Sequence, residues 1–142
     1  MDDDQERLRR ILTTCRTIAV LGASGKAGRP ANYVPTYLVE QGYCVLPVNP
    51  LFAGQLLFGV EVRSTLFELR QPVDLVDVFR RSDVLPEHIE EILAMRPLPK
   101  VVWLQSGIRH EGFARSLQRH GIEVVEDRCT LAEHRRLVAS ER

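Results

Sequence analysis

The sequence predicts an α/β fold: a single doubly wound domain with a five-stranded, mostly parallel sheet. Three observations support this prediction: five short apolar runs, amphipathic segments between them, and a glycine-rich turn after the first run. Strands that alternate with helices form parallel sheets, because each parallel pair needs a crossover connection. A chain of 142 residues has room for one such core and not for two. We therefore expect one domain over residues 1–142.

The apolar runs are rich in β-branched residues, which is typical of strands. The five predicted strands are Thr17–Leu21, Cys44–Val48, Leu75–Val78, Val101–Leu104 and Glu123–Val125. Residues 34–41, 85–95 and 111–120 carry apolar side chains three and four positions apart, as helices that cover a sheet do. Gly42 and Gly121 are expected to end two of these helices. A right-handed winding of these elements gives a Rossmann-like sheet.

Two further segments complete the chain. Residues 4–15 are expected to form a leading helix that packs through Leu8, Ile11 and Leu12, ahead of a core at about 17–137. Residues 51–70 are less regular: Gly54 and Gly59 indicate turns, and Ser64 is a candidate N-cap for a short helix.

Composition excludes several classes of partner. Basic and acidic residues both number 19, so no basic field is available for nucleic acid or an anionic membrane. The longest apolar runs are strand-sized, and the start, Met1-Asp2-Asp3-Asp4, is the opposite of a signal peptide's basic start. We expect a cytoplasmic protein that binds neither nucleic acid nor membrane.

Cysteine and histidine spacing gives no sign of a metal site or a disulfide framework. The three cysteines, Cys15, Cys44 and Cys129, form no C-x-x-C pair, and the four histidines lack metal-ligand spacing. Reduced thiols and no metal are expected. No catalytic residue is predicted, because Cys129 has no evident partner base nearby in the sequence.

Ligands of doubly wound sheets bind at the carboxyl ends of the strands. The first predicted strand ends in the turn G-A-S-G-K-A-G-R-P, residues 22–30, whose backbone N–H groups suit a pyrophosphate. The turn is not a P-loop, because Ala27 follows Lys26 where a hydroxyl would hold magnesium. It also lacks the dinucleotide fingerprint, because Ser24 takes the place of the second glycine of G-x-G-x-x-G.

The end of the second strand argues against a classical NAD site. An acidic residue usually binds the ribose hydroxyls there, whereas this chain has Asn49 and Pro50. A nucleotide with an extra phosphate fits better, since four cations are available near the strand ends: Lys26, Arg29, Arg80 and Arg81.

Five ordered motifs together resemble the CoA-binding protein family. They are I-A-V-L-G-A-S at 18–24, G-Y-x-V-x-P-V-N-P at 42–50, V-D-L-V-D-V-F-R at 73–80, V-W-L-Q-S-G at 102–107 and D-R-C at 127–129. The resemblance covers roughly residues 17–137. The family is similar in fold to the N-terminal CoA-binding domain of the succinyl-CoA synthetase α subunit. The second domain of that subunit, which carries the phosphorylated histidine, has no counterpart here.

The resemblance implies where each part of CoA would bind. Gly22, Ala23 and Ser24 would meet the phosphates, and Val48, Asn49 and Pro50 would flank the adenosine. Phe79 and Arg80 would border the nucleotide, with Trp103 and Gln105 near the centre of the sheet. Lys26 and Arg29 complete the predicted binding set. The family commonly has a proline after the lysine, whereas Ala27 follows Lys26 here.

Several of these residues also have ordinary structural interpretations. Trp103 lies within an apolar run and could pack in the core, Gln105 could cap a turn, and Arg81 could be a solvated surface charge. The loop itself could be a tight turn that binds nothing.

From these observations we expect a protein that binds coenzyme A or an acyl-CoA at the carboxyl edge of the sheet, without self-sufficient catalysis. Two alternatives are an NAD(P)-dependent oxidoreductase and the CoA-binding part of a multi-chain acyl-CoA ligase. The sequence leaves open whether the ligand is free CoA or a thioester, and whether the chain forms a homo-oligomer or joins a partner chain.

Overall fold

A computed structural model describes residues 2–141 of the protein and confirms the predicted fold class. Five parallel strands form the main sheet: β1 (Thr17–Leu21), β2 (Cys44–Val48), β5 (Leu75–Val78), β6 (Val101–Leu104) and β7 (Glu123–Val125). Their order across the sheet is β2-β1-β5-β6-β7. The direction of winding therefore reverses between β1 and β5, which is where a doubly wound sheet opens its binding crevice. All five strands have the predicted bounds.

Helices cover both faces of this sheet. On one face lie α1 (Asp3–Thr14), α2 (Pro30–Glu40) and α5 (Thr130–Leu137), and on the other lie α3 (Ile89–Leu93) and α4 (Glu111–Gln118). Side chains of each strand alternate between the faces, so that Ile18 and Val20 pack in the first cluster while Ala19 and Leu21 pack in the second. Both faces are thus buried, as a parallel sheet requires.

The segment between β2 and β5 has more structure than the sequence predicted. A 3₁₀ turn at Pro50–Phe52 leads into a small antiparallel hairpin, β3 (Leu56–Leu57) and β4 (Val60–Glu61), and a second 3₁₀ turn follows at Leu66–Glu68. The prediction of Ser64 as an N-cap is wrong. Thr65 precedes the 3₁₀ turn, and the Ser64 N–H instead donates to Glu68 Oε2 at 3.2 Å.

Helix bounds differ from the predictions where proline and polar residues interrupt the periodicity. Residues 82–88 form a 3₁₀ helix that contains Pro86, so α3 is confined to five residues. Helix α2 begins at Pro30, ahead of the predicted amphipathic stretch at 34–41, because proline suits the first turn of a helix. Helix α5 was not predicted. No helix within residues 2–141 is long and apolar enough to cross a membrane.

Candidate functional site

A cleft of about 800 Å³ opens at the carboxyl edge of the sheet, on the loops that follow the parallel strands. Each of the five strands contributes at least one lining residue from the segment directly after it: Ser24, Asn49, Phe79, Gln105 and Cys129. The cleft spans the edge on both sides of the β1–β5 switch point. Its size is within the range of small-molecule and cofactor sites.

All the charged side chains that line the cleft are basic. Lys26, Arg29, Arg80 and Arg81 line it, and no aspartate or glutamate does so in the part of the chain that the structure describes. Of the four, Arg81 has an acidic partner, Asp83, at 3.3 Å. Apolar side chains fill most of the remaining wall, including Tyr33, Leu51, Phe52 and Ile108. The site therefore suits a polyanion that also carries apolar or aromatic parts.

The turn after β1 is held by the surrounding backbone. The N–H groups of Gly22 and Ala23 both donate to the Val48 carbonyl, at 2.8 and 3.3 Å, and that of Ser24 donates to Ala31 at 3.1 Å. Gly22 has a φ of +92°, and a Cβ there would lie 2.6 Å from the Phe79 carbonyl oxygen. Only glycine fits this close approach between the β1 and β5 loops.

Two asparagines brace the same turn from the side. Asn49 Nδ2 donates to the Ala23 carbonyl at 2.8 Å, while its Oδ1 accepts from the Leu51 N–H at 2.9 Å. Asn32 Nδ2 donates to the Ser24 carbonyl, also at 2.8 Å. In the sequence, Asn49 stands where NAD-binding proteins have the acid that binds the ribose. In the structure it both lines the cleft and holds the turn after β1.

The N–H groups of the predicted residues Gly22, Ala23 and Ser24 are engaged, so the unpaired backbone donors lie further along the turn. The N–H groups of Gly25, Ala27 and Gly28 have no protein acceptor within the described residues, and neither does that of Ala31 in the first turn of α2. Within the turn, Ser24 Oγ accepts from the Lys26 N–H at 3.1 Å. These free donors and the positive end of α2 form a surface that favours a phosphate.

Arg80 is fixed by a chain of polar contacts behind the cleft. Its Nε donates to His88 Nε2 at 3.2 Å, and His88 Nδ1 pairs with Glu91 Oε1. The other oxygen of the buried Glu91 accepts from the Leu66 N–H at 2.8 Å. Because Nε is the atom that His88 holds, the two terminal nitrogens of Arg80 remain available to an anion.

Gln105 lies at the floor of the cleft in a buried polar cluster with Asp77 and Thr130. Gln105 Nε2 donates to Asp77 Oδ1 at 2.6 Å and to Thr130 Oγ1 at 2.8 Å. Burial raises the pKa of Asp77 to about 7, although the hydrogen bonds from Gln105 and Thr130 partly oppose this shift. Asp77 was not predicted as a site residue, and its signal in the sequence is a lone acid inside an apolar strand.

Asp127 shapes the opposite wall of the cleft. It adopts a φ of +56°, and its carboxylate accepts from the Gly107 N–H at 2.6 Å and from Arg109 at 3.0 Å. The Gly107 N–H and the Arg109 guanidinium hold the pKa of Asp127 below its ordinary value. Asp127 thereby fixes the loop that presents Ser106 and Ile108 to the cleft.

The cysteines differ in their surroundings. Cys129 lines the cleft directly before α5. Cys15 lies in the core, where burial raises the pKa of its thiol to about 11. No histidine lines the cleft in the described chain, and no group of three metal-ligating side chains occurs within residues 2–141.

The twelve predicted binding residues divide into two groups. Seven line the cleft: Ser24, Lys26, Arg29, Asn49, Phe79, Arg80 and Gln105. Five do not: Gly22, Ala23 and Val48 form the support of the turn, Pro50 is exposed beside it, and Trp103 is fully buried, with its Nε1 donating to the Arg128 carbonyl at 2.8 Å. The apolar wall of Tyr33, Leu51 and Phe52 was not predicted, because exposed apolar residues in loops carry no periodic signal.

Comparison with known proteins identifies the family. Residues 16–135 match the model of the CoA binding domain family. This chain belongs to that family. It is 35% identical over 127 residues to the uncharacterized protein YneT of Bacillus subtilis, a match that covers 89% of this chain and 91% of the relative.

Solved structures show the same fold. A Thermus thermophilus protein is 53% identical and covers 96% of this chain and 99% of its own, with a TM-score of 0.90. A hypothetical protein from Pyrococcus horikoshii is 34% identical and covers 94% of this chain and 92% of its own, with a TM-score of 0.86. The CoA binding family and its Rossmann-like fold therefore extend over nearly the whole chain.

Proposed function

We propose that this protein binds coenzyme A or an acyl-CoA in the cleft at the carboxyl edge of the sheet and holds it without catalysing a reaction on its own. One observation carries the proposal: a member of the CoA binding domain family has a cleft lined by four cations and no acid within the described residues. CoA carries a pyrophosphate and a 3′-phosphate, which require several cationic partners in one place.

The order of features along the edge matches the order of groups in CoA. Asn49 and Leu51 follow β2 at one end, the turn of Ser24 and Arg80 follow the central strands β1 and β5, and Cys129 follows β7 at the far end. Four strand spacings of about 4.8 Å separate β2 from β7, so the edge is roughly 19 Å long. We place the adenosine beside Asn49, the phosphates at the turn and Arg80, and the pantetheine arm toward Cys129.

The phosphates have both backbone and side-chain partners in this placement. The N–H groups of Gly25, Ala27 and Gly28 are free to donate, and so are the terminal nitrogens of Arg80, which follows the neighbouring strand β5. Lys26 and Arg29 are exposed on the same turn and lack an acidic partner among the described residues. Their long, exposed side chains can adjust to the 3′-phosphate.

Binding without catalysis is the simplest account of the polar groups in the cleft. The thiol of Cys129 has no imidazole beside it in the described lining, so the base that usually activates a nucleophile is not at hand. The oxidoreductase alternative is also disfavoured. Both hydrogen-bonding ends of Asn49 are engaged by Ala23 and Leu51, so the amide is a poor substitute for the acid that binds NAD ribose.

Calorimetric titration with CoA tests the proposal, with NAD, NADP and ATP as separate ligands. We expect saturable CoA binding at micromolar concentrations and much weaker heats for the other three. Arg80→Ala should weaken CoA binding about tenfold through loss of a charge-assisted contact. Ser24→Asp keeps an oxygen that can accept from the Lys26 N–H but adds negative charge at the turn, so it should weaken binding at least as much.

Arg119→Ala is the matched control, because Arg119 is an exposed arginine at the end of α4 and does not line the cleft. Its CoA affinity should equal that of the wild type. Binding of NADP but not CoA would overturn the proposal and favour the oxidoreductase. An equal loss in Arg119→Ala and Arg80→Ala would move the ligand away from the cleft.

A further inference from the structure

A small buried cluster of three polar side chains lies directly under the cleft. Asp77 lies within β5 and pairs with Trp103 of β6. Gln105 comes directly after β6, two residues beyond Trp103, and therefore lies on the same face of the sheet. Thr130 begins α5 above them. Asp77 and Thr130 are fully buried, and Gln105 is only 5% exposed. Only Gln105 of the three lines the cleft.

When Asp77 is ionised, the hydrogen bonds of this cluster allow only one orientation of the Gln105 amide. Asp77 Oδ2 is 3.0 Å from Thr130 Oγ1, and an ionised carboxylate can only accept, so the threonine hydroxyl donates to it. The threonine oxygen is then left as an acceptor for Gln105 Nε2. The second hydrogen of that Nε2 goes to Asp77 Oδ1. Rotating the amide would place Gln105 Oε1 against the carboxylate, oxygen to oxygen.

The remaining atom, Gln105 Oε1, faces the cleft. Oε1 has no protein partner among the described residues. Every fully buried side-chain oxygen or nitrogen in that part of the chain does have a partner, so Oε1 is not fully buried. Oε1 must therefore be reached from outside, and the cleft is the cavity that Gln105 lines. The result is a fixed hydrogen-bond acceptor in a wall that carries four cations and several apolar side chains.

Such a cluster is costly in a core, since a buried carboxylate without a cation is destabilising. Apolar side chains would fill the same space between β5, β6 and α5 at no such cost. A core that keeps Asp77 departs from the packing rules that the rest of the sheet obeys, and such departures concentrate at functional sites.

We propose that Asp77 and Thr130 are positioning residues that hold Gln105 Oε1 as an acceptor for an N–H donor of the ligand, and that this donor is an amide of the pantetheine arm of CoA. This inference rests on the proposed function and adds the contact that recognises the arm. Gln105 follows β6, between the phosphate region at β1 and β5 and the far end at Cys129. The arm must cross this point, and its two amides are its N–H donors.

Two variants and two ligands test the inference. Gln105→Met removes the acceptor at similar size, and Asp77→Leu removes the carboxylate that fixes the amide, so that Gln105 Oε1 can turn to accept from the Thr130 hydroxyl. Both should weaken CoA binding about tenfold, because one hydrogen bond is lost and the N–H donor of the ligand is left unpaired. Neither should change the affinity for 3′-phospho-ADP, the nucleotide half of CoA, which lacks the arm. The double variant should lose no more than either single variant, because both changes remove the same contact.

A ligand-side test changes CoA and begins with the wild-type protein. Two CoA analogues, each with one pantetheine amide replaced by an ester, lose one N–H donor each. One of them should bind about tenfold more weakly than CoA, and that difference should disappear in Gln105→Met.

The outcomes separate this inference from the proposed function. If the wild type binds CoA and both variants bind it equally well, the inference is overturned and the proposed function stands. If Gln105→Met weakens CoA binding but Asp77→Leu does not, the positioning role of Asp77 is overturned. If the variants also lost affinity for 3′-phospho-ADP, the inference would be overturned, because the effect would then lie in the nucleotide half of CoA. If the wild type does not bind CoA, the proposed function fails first.

Discussion

The side-chain amide of Asn49 donates to the carbonyl of Ala23 at 2.8 Å, so the end of the second strand fixes the turn that follows the first. The same amide accepts from the Leu51 N–H and shapes the segment that carries Leu51 and Phe52 into the cleft. One polar side chain thus connects the phosphate-facing turn with the apolar wall. This position needs a side chain with both a donor, for the Ala23 carbonyl, and an acceptor, for the Leu51 N–H.

Asn49→Asp should therefore be destabilising despite its nearly identical shape. The new carboxylate can still accept from Leu51, but its second oxygen would face the Ala23 carbonyl without a hydrogen between them. We expect a loss of about 1–3 kcal/mol in the free energy of unfolding, measured by urea denaturation. Asn49→Ala removes the brace without adding repulsion and should lose less. The aspartate variant should also gain no affinity for NAD. Stable folding with NAD binding would contradict our account of this residue.

Gly22→Ala and Gly28→Ala form a matched pair. Both glycines have a φ of +92°, so alanine is strained at either position. A Cβ at Gly28 meets no atom within 4 Å, whereas one at Gly22 would lie 2.6 Å from the Phe79 oxygen. Gly28→Ala should cost about 1–2 kcal/mol of unfolding free energy, from backbone strain alone. Gly22→Ala should cost clearly more and should weaken CoA binding by displacing Phe79 and Arg80. Equal costs would contradict the close approach.

Asp77 gives the stability of the protein a specific pH dependence. Its pKa is about 7 in the folded protein, against an ordinary value of 3.8 that applies to the unfolded chain. Between these two values the folded state holds a proton that the unfolded state has released. Stability should therefore fall as pH rises from about 4 to 7, by up to about 4 kcal/mol, and then level off. In Asp77→Asn this contribution is absent. Denaturation at pH 5 and pH 8 checks it: the difference in stability between variant and wild type should shift in favour of the variant at pH 8.

His88 should affect CoA binding only through Arg80. His88→Ala removes the acceptor that holds Arg80 Nε, and we expect roughly fivefold weaker CoA binding because the guanidinium is no longer oriented. In the His88→Ala background, Arg80→Ala should cost less than it does in the wild type, which a double-mutant cycle by calorimetry measures. His120→Ala, at an exposed histidine that contacts the Ser116 carbonyl, is the control. Additive losses would mean that His88 does not position Arg80.

The sheet could be predicted almost completely from the sequence. Five apolar runs with β-branched residues gave the correct strand bounds, because buried parallel strands such as Val101–Leu104 carry a dense local signal. Helix α5 and the β3–β4 hairpin could not be predicted in the same way. Residues 130–137 include His134 and Glu133 at buried positions, which disguises the apolar face, and the hairpin has only two residues in each strand.

The site was only partly predictable for a related reason. Residues directly after a strand, such as Ser24 and Arg80, are placed at the edge by topology alone, and both line the cleft. The division between lining and support depends on side-chain direction, which the sequence does not encode locally. Trp103 therefore turned into the core, while Tyr33 of α2 joined the cleft wall. The hydrogen-bond partners of Asp77 are 28 and 53 residues away in the sequence, so only the tertiary fold brings them together.

The central claim is that CoA lies in this cleft with its phosphates at the turn after β1. A crystal structure of the protein grown with saturating CoA tests it most directly. We predict phosphate oxygens within hydrogen-bond distance of the free N–H groups at residues 25, 27 and 28 and of the Arg80 guanidinium, with the pantetheine arm passing Gln105 toward Cys129. CoA bound on another surface, or an empty cleft at saturating CoA, would contradict the account.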